Sequence, residues 1–352
     1  MKRKAKAALM AVCIILMIMT SGCKKSQEDP EDYSRYGYQK YGDFLCEETD
    51  HGMKLIHYLG NDKEVVIPDQ IEGKKVAELN QRCFYENYTL ETVYIPDTIT
   101  TIVERAFQDC AYLREVSGGK NVEIIEDCAF SGCYSLEKAI SSDRLRVIGE
   151  CGFDECRSLK EINLPDTLES IEWSAFSGCE QLIDIDIPDS VKVIGSGALE
   201  DTRWFRNQTG NVIVGDGILV KYPLIEEGGD KDVWIPEGVK SVHLRDGDSR
   251  IQNIYIPDGV ESIIAYHMDY ISNTTIFIPP SVKYIGSTFE QEYDDFEPEY
   301  IGDVYLVTEE GTYAREFARE KGIYYEIADD IQAIYETTLA EHNAQQTGST
   351  PE

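Results

Sequence analysis

Apolar residues in the middle of the chain recur with a fixed step. Phe84, Phe107, Phe130, Phe153 and Phe176 lie 23 residues apart, and Leu199 fills the next slot. Ile102, Ile125, Ile148, Ile171 and Ile194 keep the same step, as do Ile99, Val122, Leu145, Leu168 and Val191. Leu90, Leu113, Leu136, Leu159 and Leu182 form a further column, and Val93, Val116, Ala139, Ile162 and Ile185 another. So many columns held in phase mark an internal repeat, written L-x-x-V/I-x-I-P-D-x-V/I-x-x-I-x-x-x-A-F-x-x-C. A unit of 23 residues is too short for two packed helices. It predicts a strand, a corner, a second short extended piece and a compact turn.

Within the unit, "LETVYIP" and "LKEINLP" alternate apolar and polar residues toward a proline. Alternation of period two predicts a strand, and proline ends it because it has no N–H to give to a ladder. Beyond Leu199 the pattern thins. "VWIPEGVKSV", "IYIPDGVESI" and "IFIPPSVKYIG" keep the Ile-Pro portion at Pro236, Pro257 and Pro279 but lose the Ala-Phe half. Between the two regions, "TRWFRNQTGNVIVGDGILVKY" holds two β-rich runs around Gly215-Asp216-Gly217, which predicts an inserted hairpin. Ahead of the first full repeat, the segment from Gly42 to Val76 alternates in the manner of a cap over an open stack end. "GTYAREFAREKGIYYEI" pairs Tyr313 with Phe317 and Ala314 with Ala318 at helical spacing, stops at Gly322 and resumes as a strand.

The unit resembles the BspA-type leucine-rich repeat of bacterial surface proteins. "LPDTLESIEWSAFSGCEQLIDI" and "IPDSVKVIGSGAL" carry that resemblance, which covers residues 64–200 strongly and weakens beyond. It implies an α/β-type leucine-rich repeat solenoid, strand-rich, a right-handed stack of about 23-residue coils with short helical turns, an inserted hairpin and terminal caps. The expected organisation is a signal peptide over 1–22, a polar tether over 23–42, and the N-terminal cap with regular repeats over 43–200. The inserted hairpin and loop follow over 201–231, degenerate repeats over 232–290, the C-terminal cap over 291–327 and a polar tail over 328–352.

The N-terminus changes where such a stack belongs. "MKRKAKAALMAVCIILMIMTSGC" has a basic start, an apolar run too short for a comfortable membrane span, and small residues before Cys23. It resembles a bacterial lipoprotein signal, which implies cleavage before Cys23, acylation of that residue, and an extracytoplasmic, surface-exposed protein lipid-anchored to the cell membrane. Formal net charge is −32, and about −36 without the first 22 residues, which hold four basic and no acidic side chains. Such acidity repels nucleic acid and anionic lipid surfaces, so no nucleic-acid role is expected, and partners are cationic, glycan or bridged by divalent metal.

Candidate chemistry is thin. Cys128, Cys133, Cys151 and Cys156 form two C-x4-C pairs that can be drawn as a zinc site. The repeat gives a plainer account. Cys110, Cys133, Cys156 and Cys179 are one 23-residue column and Cys128 with Cys151 another. Buried thiols filling gaps in a core explain such columns, with disulfides as the alternative. Cys46 and Cys83 fit no column and are the expected oxidation sites. "IGSGA" lacks the G-x-S-x-G spacing, and the five histidines show no paired arrangement, so no catalytic residue, metal ligand or cofactor is expected. The acidic runs "DGDS" and "EQEYDDFEPEY" are solvated surface, with Ca²⁺ binding as the alternative.

What remains is surface. Residues flanking the buried positions of each strand point outward, giving the columns Thr92, Glu115, Lys138, Glu161, Asp184 and Tyr94, Ser117, Ile140, Asn163, Asp186. A steady core presenting a varied face suits a non-enzymatic binding protein. Family resemblance implies adhesion to host matrix proteins or neighbouring cells, and the expected protein is a monomeric, membrane-anchored chain that binds extracellular proteins or glycans. The alternative is a glycan-processing or envelope-scaffold component supported by the solenoid.

Overall fold

Each 23-residue step of the sequence becomes one coil of a solenoid. The computed structural model describes residues 37–222, 231–244, 250–265, 273–286 and 304–347. Strands Glu64–Val66, Thr92–Ile95 and Glu115–Gly118 pair in parallel with Val65, Val93 and Val116 in register. This first sheet continues as single bridges from Glu115 to Lys138 and on to Glu161. A second parallel sheet is built from Thr101–Ile102, Ile124–Ile125, Val147–Ile148, Ser170–Ile171 and Val193–Ile194, with the isoleucine column in register throughout. Parallel pairing is what a repeating coil demands, since every coil runs the same way around.

The third side of each coil is the Ala-Phe-x-x-Cys segment. Here the short helical turn expected from the family gives way to tighter turns closed by bonds three residues back, such as Ala106 N to Val103 O and Cys110 N to Phe107 O. These turns also bond coil to coil: Phe107 N donates to Ala129 O, Phe130 N to Gly152 O and Phe153 N to Ala175 O, all at 2.8–2.9 Å.

The phenylalanine column forms the core. Neighbouring rings from Phe84 to Phe176 stack 4.8–5.5 Å apart, within 14° of parallel. All five are buried, each worth about 1.5–3 kcal/mol of apolar transfer. At the N-terminal end, hairpin strands Phe44–Thr49 and Gly52–Tyr58 close the ladder. Tyr58 stacks on Phe84 at 5.2 Å, and Phe44 meets both rings, so the first coil does not expose its aromatic face.

Beyond residue 200 the structure departs from a simple insertion. A short helix, α1 (Arg203–Asn207), is N-capped by Thr202 and leads into an antiparallel pair, Val212–Val214 with Ile218–Lys221. The second of these strands also pairs in parallel with Ser241–Leu244. It therefore serves as the second strand of a coil, and the hairpin is threaded into the stack rather than standing outside it. Successive second strands then follow at steps of 21 and 22 residues, Ser241 to Ser262 to Tyr284. These shorter coils have lost the Phe turn. Their core is aliphatic, from Ile235, Val242, Ile256, Ile263, Ile278 and Ile285.

The first sheet resumes over Asp232–Trp234, Asn253–Tyr255, Thr274–Phe277, Val304–Thr308 and Tyr324–Ile327. Between its last two strands lies α2 (Tyr313–Lys321), N-capped by Thr312, ended by Gly322 in the left-handed conformation, and burying Ala314, Phe317 and Ala318.

Residues 328–352, expected as a polar tail, contain a 17-residue helix, α3 (Ile331–Thr347). Asp330 accepts from Ala333 N at its start. Ile331 and Tyr335 are buried, Gln332 accepts from Asp258 N, and His342 lies 4.2 Å from the Trp234 ring. The helix thus lies across the outward face of the C-terminal coils. Its spacing was readable: Ile331, Ile334, Tyr335, Thr338 and His342 share one helical face.

Candidate functional site

The first sheet presents two outward columns. Thr92, Glu115, Lys138 and Glu161 are in register by pairing, and Asp184 follows at the same step. Tyr94, Lys138, Glu161, Asn163, Asp184 and Asp186 are exposed, and Thr92, Glu115 and Ser117 are half-buried. Ile140 is the exception: expected outward, it is buried at 2% exposure. Its coil lacks the Pro-Asp corner, which the next two coils keep at Pro165-Asp166 and Pro188-Asp189 with Asn163 and Asp186 outward, so alternation fails there. Ser142 instead closes the corner by donating to Lys120 O and Val122 O. The Ile140 side chain folds over Gly119, where an added Cβ would come within 2.3 Å of Cδ1.

Electrostatics divides this face. One position before the outward column, charges alternate from coil to coil and pair: Lys63 with Glu91 at 2.6 Å, Arg114 with Glu91, and Lys160 with Glu137 at 2.5 Å. On the second sheet, Arg146 pairs with Glu169 at 3.0 Å. Exposed pairs of this kind stabilise by under about 1 kcal/mol, but they neutralise their own columns. Among the described residues, Lys138, Glu161, Asp184 and Asp186 have no ion-pair partner. The sheet face therefore runs from Tyr94 and Lys138 into a run of free carboxylates at its lower end.

The same outward position in the C-terminal coils is aromatic. Trp234 stacks on Tyr255 at 5.3 Å and Tyr255 on Phe277 at 4.5 Å, and α3 lies against Trp234 through His342 and Thr338. The outward columns read from the sequence stop at Asp184 and Asp186, although the second residue of "VWIP", "IYIP" and "IFIP" stands where Tyr94 stands. Sequence reasoning also missed exposed tyrosines on the turn edge, Tyr88, Tyr112 and Tyr134, the last with the Arg157 guanidinium over its ring at 5.2 Å.

The cysteine columns separate cleanly. The thiols of Cys110, Cys133, Cys156 and Cys179 are buried and donate to Phe84, Phe107, Phe130 and Phe153 carbonyls, 3.0–3.2 Å away in the preceding coil. Cys128 and Cys151 lie on the rim instead, so the C-x4-C pairs do not converge. Among the described residues no three His, Cys, Asp or Glu side chains gather to hold a metal. Cys46 and Cys83, expected as oxidation sites, are fully buried, and burial pushes the Cys46 thiol up to about 11 and Cys83 higher. Cys83 does have a column after all, since it precedes Phe84 as Ala106 precedes Phe107.

Ser196 and His243 line one small cleft with Phe205 and Leu244 at the junction of the two repeat regions. Burial pulls His243 down to about 4, so it is neutral at physiological pH. Among the described residues no hydrogen bond joins it to Ser196. Cys23 and the acidic runs around residues 246 and 290 lie outside the described residues, and no described helix is long and apolar enough to cross a membrane.

The model of a BspA type leucine rich repeat region matches in six copies over residues 77–204 and 235–294, together more than half of the chain. No curated protein matches it. Among solved structures, the chain is similar to a leucine rich cell surface protein from Faecalibacterium prausnitzii at 20% identity and TM-score 0.42, covering 83% of this chain and 95% of that one. It is similar to the T. pallidum leucine rich repeat protein TpLRR at 22% and 0.35, covering 82% and 98%. For the pneumococcal vaccine antigen PcpA the values are 14% and 0.44, covering 83% and 98%.

Proposed function

The chain belongs to the BspA type leucine-rich repeat family, and on that premise we propose a non-enzymatic binding protein of the cell surface. It is held to the membrane by a lipid on Cys23 and captures extracellular proteins or glycans on the outward face of its first sheet. The observation that carries this reading is the contrast between neighbouring columns. Charges beside the face are neutralised from coil to coil, while Lys138, Glu161, Asp184 and Asp186 stand exposed and unpaired. A rigid ladder with free carboxylates along one line complements a cationic, extended partner, and the fixed coil spacing sets its register.

The open stretch of the face is limited to the N-terminal coils, because α3 occupies its continuation. A partner is therefore engaged over the span from Tyr94 to Asp186. The test offers the immobilised chain from residue 23 onward to a glycan array and to purified cell-surface proteins. Saturable binding to one of these is expected; no binding to either overturns the reading. For the anchor, Cys23→Ser is expected to release the protein from membranes, and retention would contradict lipidation.

A further inference from the structure

Two cysteines, Cys128 and Cys151, occupy one position of successive coils on the rim of the solenoid. Cys128 and Cys151 each open their turn in the left-handed conformation, with φ of 53° and 52°. Both are half-buried, whereas the other described cysteines are buried. The same position holds Arg105 one coil earlier and Ser174 one coil later.

The backbone holds these coils in close register. Cys128 N donates to Glu150 O at 2.7 Å and Cys151 N to Trp173 O at 2.8 Å. Two residues on, the Phe130 and Phe153 rings stack 5.2 Å apart. Stacked backbones at about 4.8 Å fall within the Cα separation of about 4.4–6.8 Å that a disulfide spans. Because the two residues share one backbone conformation, their side chains leave the turn in the same direction and lie side by side.

Their chemistry is divided. A hydrogen bond from Cys151 and the nearby Arg105 guanidinium pull Cys128 down to about 7, against burial and the neighbouring Asp127. Cys151 is pushed up by the same shared proton, by burial, and by Asp154 and Glu150. Arg105 holds the same turn position one coil before Cys128, on the side away from Cys151, so of the two coupled thiols Cys128 is the one whose thiolate a neighbouring cation favours. The buried column differs, since Cys133 and Cys156 are raised by burial and shut away from solvent.

We propose that Cys128 and Cys151 are a redox pair that closes a disulfide across adjacent coils, with Cys128 as the attacking thiolate and Cys151 as the resolving thiol. The electron acceptor is a small-molecule disulfide, R–S–S–R. The Cys128 sulfur attacks one of its sulfurs, the S–S bond breaks, and one R–S⁻ leaves, giving a mixed disulfide. Cys151 then gives its proton to the departing thiolate, and its sulfur attacks Cys128, expelling the second R–S⁻. Two protein thiols become one disulfide, the oxidant becomes two thiols, and the two protons end on those thiols. The clasp is independent of what the sheet face binds.

The experiment treats the folded full chain with glutathione disulfide, quenches by native alkylation and maps peptides by mass spectrometry. Expected is a Cys128–Cys151 bridge, lighter by two hydrogens and reversed by dithiothreitol, with Cys46, Cys83, Cys110, Cys133, Cys156 and Cys179 unmodified. Cys151→Ser is expected to hold glutathione on Cys128 as a lasting adduct. Cys128→Ser is expected to react roughly ten-fold more slowly. A wild-type chain that stops at glutathionylated Cys128, a bridge elsewhere, or a Cys128→Ser rate equal to wild type would overturn the proposal.

Discussion

The Tyr335 hydroxyl donates to the backbone carbonyl of Ile235 at 2.9 Å, joining residues 100 positions apart in the chain. Ile235 directly follows the strand that carries Trp234, so this bond pins α3 onto the first sheet just where the sheet turns aromatic. Trp234 Nε1 reaches Thr338 Oγ1 at 3.4 Å and adds a second, weaker tie. Removing the Tyr335 hydroxyl leaves a buried carbonyl unpaired. Tyr335→Phe is expected to lower stability by about 1–2 kcal/mol, read from urea unfolding. Truncation before Ile331 is expected to red-shift tryptophan emission, since Trp234 loses its contacts with Thr338 and His342 and meets water; unchanged emission would contradict the packing.

The phenylalanine ladder sets a second expectation. Phe130 stacks on both neighbours at 5.2 Å and is fully buried. Phe130→Ala removes the ring and leaves a cavity between two coils, costing about 3–5 kcal/mol. Phe130→Leu retains most of the volume, as Leu199 does at the end of the ladder, and is expected to cost clearly less. Denaturant midpoints for the two variants check the order.

His243 links stability to pH. Its folded value of about 4 lies below the ordinary 6.5 because burial disfavours the charged ring. Between those values the unfolded chain binds the extra proton, so stability is lost as pH falls from about 6.5 toward about 4, at up to about 1.4 kcal/mol per unit. His57 is lowered in the same sense. His243→Gln is expected to flatten the slope of unfolding free energy over this window; an unchanged slope would place the acid sensitivity in other groups.

Much of the fold was legible because one period governs it. The 23-residue step put Phe130, Ile125, Leu136 and Cys133 in the core, and all four are buried. The errors lie where the rule was extended beyond its physical reason. Strand alternation puts Ile140 outward, but its coil has Ser142-Asp143 where its neighbours have Pro-Asp, and Gly119 opposite leaves the side chain room inward. Cys128 and Cys151 were seen as a column, yet spacing does not reveal which side of a coil a column occupies. That depended on a left-handed turn that nothing in their residue types announces. The last helix was hidden by Glu336, Thr337, Glu341 and Asn343 on its solvent side, which made the average polar while one face stayed apolar.

The outward face of the first sheet is the central claim, and charge reversal tests it most directly. Glu161→Lys, Asp184→Lys and Asp186→Lys, combined in one chain, invert the unpaired carboxylates without touching the core. Lys192→Glu on the second sheet serves as the control. Affinity for the partner retained from the glycan array or surface-protein panel is measured for wild type and both variants, with thermal melting to confirm folding. The account predicts at least about a ten-fold loss for the triple variant and none for the control. Equal affinity across all three folded proteins would contradict it.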